Sequence, residues 1–205
     1  MYNVILADPP WSYDNKKTGG SLKSGAASKY VTMSLDEICN LRIKEISDPN
    51  SLLFLWVTNS MILSHAPKVL EAWGFTYRAL FTWEKDAWGL GYWFRNCTEQ
   101  LLVASRGKVK PFRLQRKNIL KTKRLRHSQK PGEVRLLVDE AATKSFPGYD
   151  QKIELFARQQ TPGWDSWGLD VDGVSVQDQI DRWINPTTQV AHKNDSNDLL
   201  TSEVI

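Results

Sequence analysis

The stretch Val4-Ile5-Leu6-Ala7-Asp8-Pro9-Pro10-Trp11 constrains this chain more than any other. Four apolar residues in a row predict a fully buried strand, and Asp-Pro-Pro ends it abruptly. Both prolines have a fixed φ and lack an N–H, so the turn is stiff and offers carbonyl oxygens without donors. In α/β folds, ligand sites are built at such strand ends. An acidic side chain, bare carbonyls and an indole meeting there suit a planar group that carries an –NH2. The Asp8 carboxylate and the Pro9 carbonyl accept its two N–H bonds while Trp11 stacks on the ring. The alternative is an ordinary proline turn with a core tryptophan. An aromatic directly after the turn favours the ligand-binding reading.

Further strands are expected over 51–58, 75–85, 99–105 and 149–157, each an apolar or alternating run. Ser34-Leu35-Asp36-Glu37 reads as a capping-box helix start. Helices are expected over 61–73, stopped by Gly74, over 131–144 behind Pro131, and over 176–184. Residues 12–29, rich in Gly, Ser and Lys, predict a flexible lid, and 86–96 an aromatic loop. Strands alternating with helices imply an α/β fold around a largely parallel sheet.

The net charge of +4 conceals an asymmetry. In 174–205 five acids face two bases, which leaves this stretch at −3 and the remainder at +7. Between Glu99 and Glu133 stand eleven bases and no acid, among them Arg106, Lys121, Arg124, Arg126 and Lys130. Such a run without counter-charge favours a polyanion partner, most simply nucleic acid. The expected organisation is a catalytic domain over 1–173, with a basic loop inserted at 106–130. An acidic tail over 174–205 follows, one short helix and then disorder.

Several chemistries lack their motifs. Cys39 and Cys97 are far apart, and His65, His127 and His192 are isolated, so neither a metal site nor a disulfide is indicated. No phosphate-binding loop, nucleophile elbow or zinc-protease helix is present. No signal peptide or membrane-length apolar run appears, so an intracellular protein is expected, cytoplasmic if bacterial or phage. What remains is the amino clamp together with a basic loop, which points to chemistry on the amino group of a nucleobase.

Six ordered blocks then carry a resemblance: Ala7-Asp8-Pro9-Pro10-Trp11; Tyr30-Val31-Thr32-Met33-Ser34; Leu53 to Thr58; Gly91-Tyr92-Trp93 followed by Glu99; Ser128-Gln129-Lys130-Pro131; and Ile153 to Arg158. In these the chain resembles the adenine-amino methyltransferase family (MT-A-seventy). The resemblance implies a Rossmann-like S-adenosylmethionine-dependent methyltransferase fold with permuted motif order, the catalytic turn first and the cofactor strand last. It implies that Asp8 and Pro9, in the tetrapeptide with Pro10 and Trp11, hold the adenine amino group, and that S-adenosylmethionine is the cofactor, with no metal.

The resemblance also places Tyr30, Glu99, Ser128 and Lys130 around the adenosine, while the basic run adds Arg124 and Arg126 as nucleic-acid contacts. It assigns the cofactor to Asp8, Lys130, Glu154, Phe156 and Arg158. One departure stands out: the family's Gly-Asn-Glu/Gln is here Gly168-Leu169-Asp170, so Asp170 takes over a ribose contact that Leu169 cannot make. The expected reaction is methyl transfer to the adenine amino nitrogen of a flipped-out base in DNA. The same reaction on RNA is the alternative, and a silent nucleic-acid-binding scaffold or partner subunit is a third. A homodimer or a partner subunit stays open.

Overall fold

The computed structural model describes residues 1–12, 32–89, 93–123 and 129–186. The expected lid, from residue 13 onward, and the end of the acidic stretch lie outside them. Along the chain run β1 (Tyr2–Ala7), α1 (Leu35–Asn40), α2 (Ile43–Ile46), β2 (Ser47–Val57), α3 (Ala66–Trp73), β3 (Thr76–Gly89) and β4 (Asn96–Arg106). There follow β5 (Ile119–Thr122), α4 (Gly132–Ser145), β6 (Lys152–Leu155), β7 (Asp165–Trp167), α5 (Leu169–Asp172) and α6 (Val176–Ile184). Seven strands form one sheet in the order β5-β3-β4-β2-β1-β6-β7. This is the α/β architecture the sequence predicts.

β1 is buried on both faces, as its apolar run requires. Ile5 and Ala7 join the core that α1, α3 and α6 cover, and Val4 and Leu6 join the core under α4. β1 pairs in parallel with β2, Ile5 opposite Leu53, and with β6, Ile5 opposite Ile153. The chain thus leaves β1 for one side and returns on the other, which makes the end of β1 a topological switch point where open α/β sheets bind ligands. β4 alone runs against the others, pairing antiparallel with both β2 and β3. Its first residues therefore lie at the same sheet end as the last residues of β1.

Local signals explain most boundaries. Ser34 and Glu37 close the predicted capping box: Glu37 N–H donates to Ser34 Oγ at 3.2 Å, and Ser34 N–H to Glu37 Oε2 at 2.6 Å. The helix expected from residue 61 begins instead at Ala66, after a 3-10 turn over Asn59–Met61. Pro67 explains this, because a proline is tolerated only in the first helical turn. Gly74 ends α3 with φ of 77°, the left-handed cap expected of it.

The loop expected from residue 86 is in part strand, since β3 continues to Gly89, which pairs with Asn96. Two short edge strands, β5 and β7, have no counterpart in the sequence reading. α6 packs Ile180 fully into the core, and Arg42 of the α1–α2 corner meets Asp181 at 3.6 Å. Among the described residues no helix is long and apolar enough to cross a membrane.

Candidate active site

The turn after β1 is held from three sides. Asp8 N–H reaches the Leu155 carbonyl of β6 at 3.4 Å, Trp11 N–H folds back onto the Pro9 carbonyl at 2.9 Å, and the Pro10 carbonyl accepts from Met33 N–H at 2.8 Å. The prolines' carbonyls are therefore not bare, as the sequence suggested. Among the described residues each has one partner, which leaves a second lone pair. Trp11 also departs from expectation. It is only 6% exposed, its indole N–H donates to the Trp56 carbonyl at 3.1 Å, and its ring meets His65 edge-on. The core-tryptophan alternative holds for it: Trp11 anchors the turn instead of offering a free stacking face.

Beside this turn four charges alternate. Lys130 Nζ, one residue before Pro131 and α4, lies 2.7 Å from Asp8 Oδ2 and 3.2 Å from Glu99 Oε2. Glu99, near the start of β4, is also bound by Lys85 of β3. The antiparallel run of β4 is what brings Glu99 to the end of β1. The floor is aromatic: Lys130 Nζ stands 5.3 Å from the centre of the Trp56 ring, and Lys85 Nζ 4.7 Å from that of Trp83. The two indoles meet edge to face at 6.2 Å. Cations over indole faces are held by the ring quadrupole as well as by their carboxylates.

These contacts set the protonation states. Burial by itself would lower the Lys130 ammonium, but Asp8 and Glu99 together outweigh it and raise its pKa above the ordinary lysine value. Burial would raise the Glu99 carboxyl, yet Lys130 and Lys85 hold its pKa below the usual range. Behind Glu99 a neutral network braces β4: Thr82 Oγ1 donates to Gln100 Oε1 at 2.7 Å, and Gln100 Nε2 to Asn59 Oδ1 at 3.0 Å.

The other residues expected to hold the cofactor lie in or just after β6 and β7, which run parallel to β1 and end at the same sheet end. Ala157 N–H bonds to the Trp167 carbonyl at 2.9 Å. Gly168 sits so close to this junction that a Cβ on it would lie 2.2 Å from the Ala157 carbonyl oxygen. Phe156 adopts φ of 62°, unusual for a bulky residue. That left-handed turn breaks strand alternation: Phe156 packs against the core under α1, α3 and α6, whereas Glu154 meets Arg135 of α4 on the other face, at 2.6 Å.

Glu154 is thus engaged by an arginine, which also bonds Thr161. Arg158, Leu169 and Asp170 are exposed just beyond. Tyr30, Arg124, Arg126 and Ser128 lie outside the described residues. Among the described residues no group of three or more His, Cys, Asp or Glu could hold a metal ion.

Of the expected residues, the structure brings together Asp8, Pro9, Glu99 and Lys130, and sets Phe156 just after β6 and Asp170 in α5, just after β7. Sequence reasoning missed Lys85 and the two floor tryptophans. Trp56 stands inside one of the six blocks and so carried a signal. Lys85, a lysine at a strand end, carried none.

The MT-A70 family model matches residues 2–170. The chain is 35% identical over 198 residues to a type II methyltransferase, M.MunI, of a Mycoplasma species, covering 86% of this chain and 80% of that one. It is 28% identical over 186 residues to the N6-methyladenosine RNA methyltransferase MTA1 of Pyricularia oryzae, covering 83% of this chain and 47% of the relative. To the human N(6)-adenosine-methyltransferase catalytic subunit METTL3 it is 26% identical over 188 residues, covering 86% of this chain and 29% of the relative. The chain therefore spans most of the Mycoplasma protein but less than half of the other two. With a family match running from β1 to α5 and enclosing the whole charged cluster, this chain belongs to the MT-A70 methyltransferase family.

Proposed function

We propose that this protein transfers a methyl group from S-adenosylmethionine to the exocyclic amino nitrogen of adenine in DNA. The observation that carries the reading is the Asp8–Lys130–Glu99 cluster beside a stiff Pro-Pro turn at the switch point of the sheet. The adenine amino nitrogen is a poor nucleophile because its lone pair is delocalised into the ring. Asp8 Oδ1 and the second lone pair of the Pro9 carbonyl are acceptors for its two N–H groups. Holding both fixes the nitrogen and draws it toward the pyramidal form, in which the lone pair is free to attack. Alignment of this kind is worth up to about 7–11 kcal/mol.

Lys130 holds Asp8 in place, and Glu99 with Lys85 holds Lys130. The nitrogen becomes acidic once alkylated, so an ion-paired carboxylate such as Asp8 suffices to take its proton and pass it to water. S-adenosylmethionine supplies the methyl group on a sulfonium, whose positive charge is lost on transfer. The residues present fit that molecule: Asp8 for its cationic part, Lys130 for its carboxylate, Phe156 for its adenine and Asp170 for its ribose diol. Gly168 supports the fit, since its contact with the Ala157 backbone brings the Asp170 segment beside Phe156. Arg158, just past Phe156, is assigned to the same ligand, and Tyr30 and Ser128 to the adenosine, on family resemblance.

The preference for DNA rests on the type II methyltransferase relative, which matches over most of both chains. The relatives named for RNA match over a smaller share of their own length, and they support RNA as the second reading. The acid-free basic run suits either polyanion. Methyl incorporation from labelled S-adenosylmethionine into matched single-stranded DNA, duplex DNA and RNA tests the proposal. Methyladenine in DNA is expected. Methyladenine in RNA alone would move the substrate and keep the chemistry.

A further inference from the structure

The β3–β4 hairpin does more than bring Glu99 to the site. Beyond the Lys85–Glu99 pair it continues past the sheet to Gly89 opposite Asn96, and there it presents three large aromatic side chains to solvent. Trp88 is 76% exposed, Trp93 94% and Phe94 84%. No other stretch among the described residues exposes its large apolar groups so densely. A folded chain does not hold three such rings in water without a use for them.

Position and charge narrow what the rings meet. Asn96 precedes Glu99 by three residues, so at strand spacing the tip begins about 10 Å beyond the base pocket. The neighbouring strand β5, paired to β3 at Thr82–Lys85, carries Lys121, and Lys123 follows it directly. Arg95 lies on the tip itself; of the acids nearby, Glu84 is bound to Lys121 and Glu99 to two lysines, while Asp86 lies on β3 two residues before Trp88. A polyanion whose bases stack on aromatic faces meets both properties at once. A two-stranded β-ribbon also fits the major groove of B-form DNA, about 12 Å wide.

We infer that the tip of the β3–β4 hairpin is a wedge: Trp93 and Phe94, backed by Trp88, enter a DNA duplex and stack in the space the target adenine vacates. The inference rests on the DNA reading proposed above. The buried Trp11 gives it a role to fill, because the site's own tryptophans are committed to the floor and the turn. Extruding a base forfeits its stacking and pairing, and rings inserted at the gap offset that loss.

The test compares methylation rates of the wild type, Trp93→Ala, Phe94→Ala and Trp93→Phe on one target sequence. It is offered as a duplex, as a single strand, and as a duplex with a mismatch opposite the target adenine. Because the single strand has no pairing to break, the alanine variants are expected to lose about tenfold or more on the duplex and under about twofold on the single strand. The mismatch is expected to restore most of their rate, and Trp93→Phe to retain most of the duplex activity.

Equal losses on both strands, or no loss on the duplex, would overturn the wedge while leaving the DNA reading intact. So would a wild-type dimer, seen by sedimentation, that the alanine variants dissolve, which would make the tip an interface between copies. A wild type that methylates no DNA would overturn both.

Discussion

Trp11 donates its indole N–H to the carbonyl of Trp56 at 3.1 Å, which ties the turn after β1 to the end of β2 through a buried ring. Together with the Pro9 and Pro10 contacts, this makes the turn rigid whether or not Asp8 has a ligand. The clamp is therefore preformed, and its acidic group can be removed without collapsing the loop that holds it.

Asp8→Ala is accordingly expected to abolish methyl transfer while the protein stays folded and still binds S-adenosylmethionine, more weakly than before. Lys130 would keep Glu99 as its partner. Calorimetric titration with the cofactor, run beside the labelled-methyl assay, checks this. Full activity in the variant would refute the clamp.

Lys130→Met tests the charged cluster through pH. Glu99 has its pKa lowered, so its contribution to stability is complete above the ordinary carboxylate value of 4.5 and is lost as pH falls through the lowered one. Lys130 has its pKa raised, so its contribution is complete below 10.5 and is lost only as pH rises through the raised value. Glu99 and Lys130 are then both charged between those limits and contribute no pH dependence there. Removing Lys130 strips Glu99 of the largest charge that lowers its pKa, so the acid limb of the stability curve should move to higher pH. Asp8 left unpaired and Glu99 left with Lys85 alone should cost about 3 kcal/mol or less, given their partial exposure. Thermal unfolding across pH reads both effects. An acid limb in the wild-type position would contradict the electrostatic role.

Gly168→Ala should damage the cofactor half of the site and spare the clamp. Its Cβ would fall 2.2 Å from the Ala157 carbonyl and 2.7 Å from the Ala157 nitrogen, and neither backbone atom can yield without breaking the β6–β7 junction. Overpacking of this kind costs about 2 kcal/mol, or a fall in Tm of about 4–8 °C for a chain of this size. A marked weakening of S-adenosylmethionine binding should accompany it, measured by calorimetry well below Tm. Unchanged binding would separate Gly168 from the cofactor.

Neutralising Arg124 and Arg126 together should weaken DNA binding uniformly across sequences. If both bases touch phosphates, the slope of log K against log salt should fall by about 2 in magnitude. Binding curves from low to moderate salt check it, and an unchanged slope would send these bases to another partner.

The sequence revealed β1, its Asp-Pro-Pro end and the alternation of strands and helices because each rests on a local cause: an apolar run, a missing N–H, a capping serine. It revealed Asp8 through that turn but Glu99 and Lys130 only through resemblance, since nothing local says that residues 8, 99 and 130 meet. That meeting depends on β4 running antiparallel, a long-range fact. β5 and β7 were invisible for the same reason: Ile119-Leu120 and Asp165-Ser166-Trp167 are too short for a period, and pairing with β3 and β6 holds them. Trp11 shows the opposite failure. Its residue type suggested a stacking face, and only packing reveals that the ring is enclosed.

The placement of β1 between β2 and β6 has a further consequence during synthesis. Ile5 finds Leu53 early, but its other neighbour is Ile153. At translation speeds of about 5–20 residues per second, the second pairing becomes available roughly 7–30 s after the first residues emerge. For that interval an apolar strand has one ladder edge open, the kind of edge that recruits stray strands. Asp8, at the end of that strand, is thus made first and enclosed last. A nascent or truncated product that ends before β6 should aggregate or be held by chaperones, and it should carry no methyl-transfer activity.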